Sequence, residues 1–284
     1  MAERLIEQIP EFKKDTGVKP DQEGFIDWSA LTSVPTAKNA REAFIIIATA
    51  IGVILLIEFT LRIFNVPSYI LPTPSGILGS LFQSWEVFLP HLGVTLQELL
   101  IGYVIGAVIG MVLAGVITQF PFAEKMVTPY IILLVVTPML ALVPLLILKL
   151  GFGLEPRIVA VALAVGPMVM INSATGFRRT DLAKIALARS YGASTLQIFR
   201  KIRFPLALPM IIVGLMVGGI FGLLTAVGAE MVGGGEGLGN RLVYYSSLAR
   251  MEPFFAIIVI IAIIGILMYI LFYLIGKKWA SWEA

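Results

Sequence analysis

The chain has 284 residues, of which 58% are hydrophobic and only 14% are charged, and its formal net charge is +3. A soluble domain normally carries about a quarter charged residues, so this composition excludes that class and predicts a polytopic membrane protein. There is no cysteine, and His91 is the one histidine. The sequence therefore excludes disulfides and a Cys/His metal site, and a solvated or interfacial position is expected for His91.

The N-terminal segment, residues 1–42, is expected to be a cytoplasmic tail. Its first residues, MAERLIEQIPEFKKDTG, include acidic residues and no continuous apolar core, so they do not form a signal peptide. Leu5, Ile9 and Phe12 have the spacing of one helix face, which allows a short amphipathic helix on the membrane surface. A solvated tail is the alternative.

The rest of the chain predicts an all-α fold with six membrane spans, because a bilayer core of about 30 Å needs roughly 20 apolar residues per helix. Lipid cannot satisfy free backbone groups, so each span has to be helical. A transmembrane domain is expected over residues 43–278, followed by a short cytoplasmic tail at residues 279–284. The six apolar stretches are Ala43–Phe64, Thr95–Ile117, Val127–Leu148, Ile158–Phe177, Leu208–Val232 and Pro253–Gly276.

The positive charges indicate the orientation of the chain. Sixteen of the 21 Lys and Arg residues lie in the N-terminal tail, in the loops after spans two and four, and at the C-terminus, whereas the alternate loops hold four. Cytoplasmic segments carry the excess of Lys and Arg. Both termini and the loop after span four are therefore expected in the cytoplasm.

That loop, residues 178–207, has the sequence signals of two short helices. Thr180 can cap the first helix, which would run to about Tyr191. Gly192 allows a backbone break, and Ser194 begins an S-x-x-Q capping box for a second helix. An ordinary basic loop explains the charge but not the two caps. We therefore expect an elbow that docks another protein, with the ordinary loop as the alternative.

The elbow resembles the cytoplasmic signature of the permeases of binding-protein-dependent ABC importers. That signature reads Glu-Ala-Ala, three residues, Gly, nine residues, then Ile-x-Leu-Pro. Here Ala186-Leu187-Ala188 is followed after three residues by Gly192, and after nine more by Ile202-Arg203-Phe204-Pro205. Ala186 stands where the family often has Glu, and Leu187 replaces the first Ala. A polar contact made by that Glu would be absent here or supplied elsewhere.

Three further segments, LPTPSGIL, TPMLALVPLLILKLGFG and GAEMVGGGEGLGN, are similar to the taurine, sulfonate, nitrate and pyrimidine-precursor branch of this family. The resemblance implies a permease of the bacterial plasma membrane that pairs with a second copy, although pairing with a different permease stays open. It also implies two cytoplasmic ATPase subunits and an extracytoplasmic substrate-binding protein as partners. The residues that would form the coupling helix against the ATPase are Ala186, Leu187, Ala188, Arg189, Tyr191, Gly192, Ala193 and Ser194.

The sequence shows no nucleotide or catalytic site. It has no G-x-x-x-x-G-K-[ST] motif, and the glycine-rich stretch Gly233–Asn240 has no lysine in the required place. We interpret that stretch as the irregular outer end of span five. No enzymatic activity, cofactor, metal or nucleic-acid partner is expected, and ATP would be bound by the partner subunit.

Polar and proline residues inside the spans are the candidates for a translocation pathway. Prolines free backbone carbonyls, which is tolerated where a neighbour or a water-filled path satisfies them. Each such residue can line a pathway or merely satisfy a neighbour, and both interpretations stay open. The candidates are Thr137, Pro138, Asn172, Ser173 and Glu230.

The sequence also leaves alternatives open for the transported solute and for the class of transporter. Sulfonate and nitrate members of the branch commonly carry Trp after the Pro-x-x-Ala of span three, where this chain has Leu142. The absence of this Trp favours an aromatic or pyrimidine-like compound over a small anion such as sulfonate, nitrate or bicarbonate.

A self-sufficient secondary transporter is the main alternative to an ABC importer permease, although such proteins often have inverted repeats and no half-to-half repeat is evident here. A scaffold without transport would not explain the proline-broken spans.

Overall fold

The computed structural model describes residues 40–279. The chain divides into two units, Met1–Thr49 and Ala50–Ala284. The described part of the first unit is helical, and the second unit holds every contact discussed below. The predicted N-terminal amphipathic helix and most of both predicted tails lie outside the described residues.

Every regular element is helical, and residues 40–279 contain no strand, so the predicted all-α class is confirmed. In chain order the elements are α1 (Ala40–Ile63), α2 (Pro74–Gln83), α3 (Trp85–Gln119), α4 (Pro121–Val136), α5 (Met139–Leu150), α6 (Glu155–Arg178), α7 (Leu182–Ser190), α8 (Thr195–Ile198), a π-helical turn (Phe199–Arg203), α9 (Phe204–Gly233), α10 (Leu238–Ser247) and α11 (Met251–Trp279).

Five helices of the described chain are long and apolar enough to cross a membrane. Four of them are α1, α3, α6 and α11. The fifth is the continuous stretch Thr195–Gly233, which joins α8, the π turn and α9 and which we call the rod. The bounds lie close to the predicted ones, except that α3 begins at Trp85, well before the predicted Thr95, and the rod begins at Thr195, well before the predicted Leu208.

The predicted third span, residues 127–148, is not one straight helix. α4 ends at Val136, α5 begins at Met139, and the two helices meet at 101°. Pro138 lies at the break, where it has no N–H to donate and restricts Thr137 to an extended conformation with φ −78° and ψ 125°. The sequence indicated a break here but not its angle, and the pair makes a sixth crossing only if it counts as one bent span.

α6 packs between α3 and α9, and glycines bring all three helices close together. A Cβ at Gly102 would lie 2.7 Å from the carbonyl oxygen of Ile158, and one at Gly222 would lie 2.9 Å from Val165. Small residues permit this approach. This packing lies within the chain, and the glycines of α3 that take part in it recur at four-residue spacing. The glycines concerned are Gly102, Gly106 and Gly110 of α3 and Gly214, Gly218 and Gly222 of α9.

The two largest apolar clusters of the described residues lie at different heights of α6. The larger includes Val161, Val165 and Val169, which are fully buried. The second surrounds Phe177, whose ring centre lies 5.0 Å from that of Phe199 in the π turn. We call the end of the helices near Phe177 the elbow end and the end near the glycine-rich segment the loop end.

Candidate functional site

A cavity of about 310 Å³ lies at the break between α4 and α5. Residues 134–140 line it across the break, and α6 around Pro167 and α9 around Leu224 form its other walls. None of the lining residues is ionisable. Its volume is at the lower end for ligand pockets, which start at about 300 Å³, so it suits a small solute.

The two hydroxyl groups of the cavity bond to their own helices. Thr137 Oγ1 donates to the carbonyl of Leu133 at 2.7 Å, and Thr225 Oγ1 donates to that of Phe221 at 2.8 Å. Each hydroxyl uses its single proton in this way and keeps lone pairs that can accept a hydrogen bond. The side chains of the cavity therefore offer acceptors and no free donor.

A second group of polar side chains fixes the glycine-rich segment at the loop end. We call this group the loop cluster; it comprises His91, Thr95, Glu98, Arg157, Glu230 and Arg241.

Arg157 of α6 connects α3 to the backbone of the glycine-rich segment. Its Nη1 donates to Glu98 Oε1 at 2.7 Å and to the carbonyl of Glu236 at 3.0 Å, and its Nη2 donates to the carbonyl of Gly234. Glu98 is fully buried and Arg157 is 6% exposed. Glu98 Oε2 has no hydrogen-bond partner among the described residues. Arg157 is therefore the one cation that compensates this buried carboxylate within the described part of the chain.

Glu230, at the end of α9, is fully buried and caps α10 from outside that helix. Its carboxylate accepts from the Thr95 hydroxyl and from the Gly239 N–H, both at 2.6 Å. The Thr95 hydroxyl in turn accepts from the Leu238 N–H at 2.9 Å. Because the first N–H groups of a helix have no intrahelical acceptor, these two side chains satisfy the start of α10.

His91 is 8% exposed, so the expectation of a solvated or interfacial histidine is wrong. The Gly237 nitrogen lies 3.1 Å from Nδ1, and Arg241 Nε lies 2.6 Å from Nε2. A neutral imidazole has a single acceptor nitrogen, so these two donors compete for it. The partners come from residues far away in sequence, and the sequence alone therefore did not indicate them.

The glycine-rich segment follows a path that favours glycine. φ is +65° at Gly234, +85° at Gly235 and +114° at Gly237, where a side chain would be strained. Since the loop cluster binds both carbonyl and N–H groups of this segment, the segment is a fixed part of the fold. The interpretation as an irregular helix end agrees with this path, whereas α10, which follows it, was not predicted.

The elbow differs from the prediction at its first cap. Asp181, not Thr180, is the N-cap of α7, and its carboxylate accepts from the Ala183 N–H at 2.8 Å. Thr180 is buried, and its hydroxyl donates to the carbonyl of Phe177 at 3.2 Å, which ties it to the end of α6. An acidic cap is also favoured at a helix N-terminus by the helix dipole.

Gly192 and the second cap confirm the predicted turn of the elbow. α7 ends at Ser190, and Gly192 has φ +77° with no atom within 4 Å of an added Cβ. The Ser194 hydroxyl accepts from the Gln197 N–H at 3.3 Å, and Gln197 Oε1 accepts from the Ser194 N–H at 2.8 Å. The rod therefore begins at a complete capping box.

From this cap the rod continues past Pro205 and Pro209 to Gly233. A proline cannot donate to the preceding turn, and the wider hydrogen-bond spacing of the π turn accommodates this irregularity. The N–H of Phe204 bonds to the carbonyl of Phe199 across that turn. The elbow is therefore continuous with α9, and α9 forms one wall of the cavity.

The surface of the elbow is exposed and partly apolar. Leu187 is 59% exposed, Tyr191 is 84% exposed and Leu196 is 75% exposed, whereas Ile185 and Ile198 are buried beneath them. All eight predicted coupling residues lie here; six are exposed, and Ala188 and Ala193 are half-buried.

The five predicted pathway residues fall in three places. Thr137 and Pro138 line the cavity. Asn172 and Ser173 lie further along α6 toward the elbow end, where Asn172 donates within its own helix and Ser173 Oγ is buried without a partner in the described structure. Glu230 belongs to the loop cluster. Of the five predicted pathway residues, only Thr137 and Pro138 therefore line the cavity.

Sequence reasoning did not identify Thr95, Glu98, Arg157 or Arg241 as site residues. A signal for part of the loop cluster was present, because His91, Thr95 and Glu98 recur at i, i+4 and i+7 in an apolar run. This spacing places three polar side chains on one face of α3, and a buried polar face needs partners.

Comparisons with known proteins agree with this architecture. The aliphatic sulfonates transport permease protein SsuC of Bacillus subtilis is 30% identical over 222 residues, which cover 77% of this chain and 80% of the relative. The formylaminopyrimidine transport permease protein ThiX of Halalkalibacterium halodurans is 28% identical over 216 residues, which cover 74% and 84%. The chain thus aligns with most of the length of permeases named for different solutes.

The fold also matches a solved structure of an amino acid ABC transporter. The TM-score is 0.60 at 20% identity, and the match covers 70% of this chain and 97% of that chain. Residues 106–281, more than half of the chain, match the family described as the binding-protein-dependent transport system inner membrane component. Together with its apolar helices and elbow, this match shows that the chain belongs to the family of inner membrane components of binding-protein-dependent transport systems.

Proposed function

We propose that the chain forms the translocation pathway of an ABC importer for a small solute and couples transport to ATP hydrolysis by a separate subunit. The observation that carries this proposal is the continuity of the rod. A capped elbow at one end is joined by unbroken helix to Leu224 and Thr225, which line the cavity. A displacement of the elbow would therefore reach the cavity wall directly.

The elbow is the proposed contact with the ATPase. Its exposed surface combines apolar Leu187 and Tyr191 with the basic Arg189, and the capped turns hold this surface in one conformation. We place two ATPase subunits in the cytoplasm at the elbow end, in agreement with the positive charges of that loop. Both termini would then be cytoplasmic, and ATP would be bound by the partner subunits. The chain itself would act neither as an enzyme nor as a cofactor carrier.

A second copy of the chain and an extracytoplasmic binding protein complete the proposed assembly in the bacterial plasma membrane. The pathway would pass Thr137 and Pro138 in the cavity and continue along α6 toward Asn172 and Ser173. Glu230 is better explained by the bonds that hold α10 in place. The named relatives support both an aromatic or pyrimidine-like compound and a sulfonate-type anion as solutes.

Reconstitution tests this proposal. The chain is purified with its ATPase and placed in liposomes with the binding protein, and solute uptake is measured with ATP, without ATP, and with an imposed ion gradient. We expect uptake only when ATP and the binding protein are both present. Gradient-driven uptake by the chain without an ATPase would contradict the proposal and favour a secondary transporter.

A further inference from the structure

Two of the helices that line the cavity, α6 and α9, are joined to the elbow along the chain. α6 ends there at Arg178, and the rod begins there and continues to Gly233. α4 has no such connection, because it follows α3 and ends at the break before α5. Residues 134–136 at the end of α4 nevertheless line the cavity. A displacement of the elbow can therefore reach this wall only through contacts of α4 with its neighbours.

Apolar packing fixes the middle of α4 but not its start. Ile131 is the one buried residue of α4, all of which the structure describes, and it belongs to the cluster around Phe177. Val127 packs against the same cluster and is partly exposed. In the described first turn, residues 121–124, no residue is buried. Apolar burial therefore does not hold the first turn of α4 in place.

An ion pair joins this first turn to the start of the elbow. Arg178 Nη2 donates to Glu124 Oε1 at 2.7 Å. Arg178 is the last residue of α6 and the first residue of the elbow, and it is followed by the bonds of Thr180 and Asp181 that end α6 and begin α7. Each charge also suits its helix end, because an acid is favoured in a first turn and a base in a last turn.

The exposure of this pair decides what it can do. The side chain of Arg178 is 51% exposed and that of Glu124 is 42% exposed. Such pairs contribute little to folding stability, because solvent screens their attraction. They can still bias the position of one helix against another, by at most about fivefold in population. A positioning role therefore predicts a modest effect on transport and almost none on folding.

On the basis of the proposed function, we propose that Glu124 and Arg178 are positioning residues that make α4 follow the elbow. ATPase action would then reach the cavity by two routes. The rod carries it to the wall around Leu224, and the ion pair carries it to the wall at residues 134–136 of α4. Without the pair, the wall of α4 lags behind the rod, so more ATP is hydrolysed for each solute that passes.

Exchange of the two charges tests this inference. Arg178→Glu and Glu124→Arg each replace attraction by repulsion, and the double variant restores an ion pair with the charges exchanged. Arg178→Gln, which removes the attraction without repulsion, is a milder second variant. The matched control is Lys125→Glu, since Lys125 is the exposed neighbour of Glu124 and forms no ion pair among the described residues.

Each variant is reconstituted with its ATPase and the binding protein in liposomes. The measured quantity is the number of solute molecules taken up per ATP hydrolysed, together with the midpoint of thermal unfolding. We expect each single charge reversal to lower this ratio about two- to fivefold, and Arg178→Gln to lower it less. The double variant should recover most of the loss. Lys125→Glu should match the unmodified chain, and every midpoint should stay within about 4 °C of it.

The outcomes separate this inference from the proposed function. An unchanged ratio in both single reversals, or a double variant at least as impaired as the single ones, would overturn the inference while ATP-dependent uptake by the unmodified chain upholds the proposed function. A fall that follows a lowered unfolding midpoint and is not restored by the exchange would show a structural role only, which also overturns it. Uptake by the unmodified complex without ATP would overturn the proposed function, and the inference with it.

Discussion

The loop cluster and the cavity both place polar groups inside a membrane protein. The groups of the loop cluster bond to one another, whereas the cavity leaves backbone carbonyls without helical donors. In the loop cluster, side chains from several helices converge on one backbone segment, and Arg157 alone contacts Glu98 and two carbonyls. In the cavity, prolines leave the carbonyls of Leu134 and Leu163 without helical donors, and no ionisable side chain lines the wall.

This difference indicates a division of roles. Polar groups that are bonded to one another and shielded from solvent fix a single arrangement, since breaking one of these bonds leaves a buried partner unsatisfied. Polar groups that stay unpaired beside a cavity are available to a passing solute or to water. We therefore expect mutations in the loop cluster to affect stability and mutations in the cavity to affect transport.

The largest expected effect on stability is at Arg157. Arg157→Met leaves the buried carboxylate of Glu98 without its cation, and loss of one partner of a buried ion pair costs about 3–5 kcal/mol. Thermal unfolding of the purified protein in detergent measures this loss. The double variant Arg157→Met with Glu98→Met is the control, because it removes both charges and should recover much of the stability. Equal stability of Arg157→Met and the unmodified chain would contradict the role of this pair.

A smaller loss of stability is expected at Glu230. Glu230→Leu removes the acceptor for both Thr95 and the Gly239 N–H, which should cost about 1–3 kcal/mol per group left unsatisfied. Glu230→Gln keeps an acceptor oxygen and should lose less. Thermal unfolding ranks the two variants, and hydrogen exchange at residues 237–239 reports whether the start of α10 has loosened. If Glu230→Leu unfolded at the same temperature as the unmodified chain and exchanged no faster, the capping role would be wrong.

The smallest expected effect on stability is at Thr137 in the cavity. Thr137→Val keeps the shape and removes a hydroxyl that bonds only within its own helix, so stability should change by no more than about 0.5 kcal/mol. Uptake should nevertheless fall about two- to tenfold, the range expected when one hydrogen bond worth about 0.5–1.5 kcal/mol is lost. Thr137→Ser retains the hydroxyl and is the control. Unchanged uptake in Thr137→Val, or a fall that Thr137→Ser shares, would remove Thr137 from the pathway.

Local signals of the sequence predicted the helices and the elbow well, because these depend on neighbouring residues. Five of the six predicted apolar stretches are long helices, and the capping box at Ser194 and the turn at Gly192 follow from short-range chemistry. Thr180 was predicted as the cap because threonine is a common residue at a helix N-terminus. In the structure its hydroxyl donates to the carbonyl of Phe177, and Asp181 forms the cap instead.

The candidate site was less predictable, because it depends on contacts between distant segments. Pro138 indicated a break, yet the 101° angle and the cavity result from the packing of α4 and α5 against α6 and α9. Likewise, Arg157 meets Glu98 and the glycine-rich segment only after α6 has packed between its neighbours. Spacing within one helix can show that a polar face exists, but it does not show which residues will meet it.

The central claim is that the elbow transmits ATPase action through the rod to the cavity, and Gly192 tests it most directly. Gly192 has φ +77° in open space, so Gly192→Val meets backbone strain of about 1–2 kcal/mol without a steric clash, whereas Gly192→Asn tolerates this conformation. Both variants should insert and fold. The measurement is the ATPase activity of the reconstituted complex that is stimulated by the loaded binding protein. We expect this stimulation to be lost in Gly192→Val and largely retained in Gly192→Asn; full stimulation in Gly192→Val would contradict the claim.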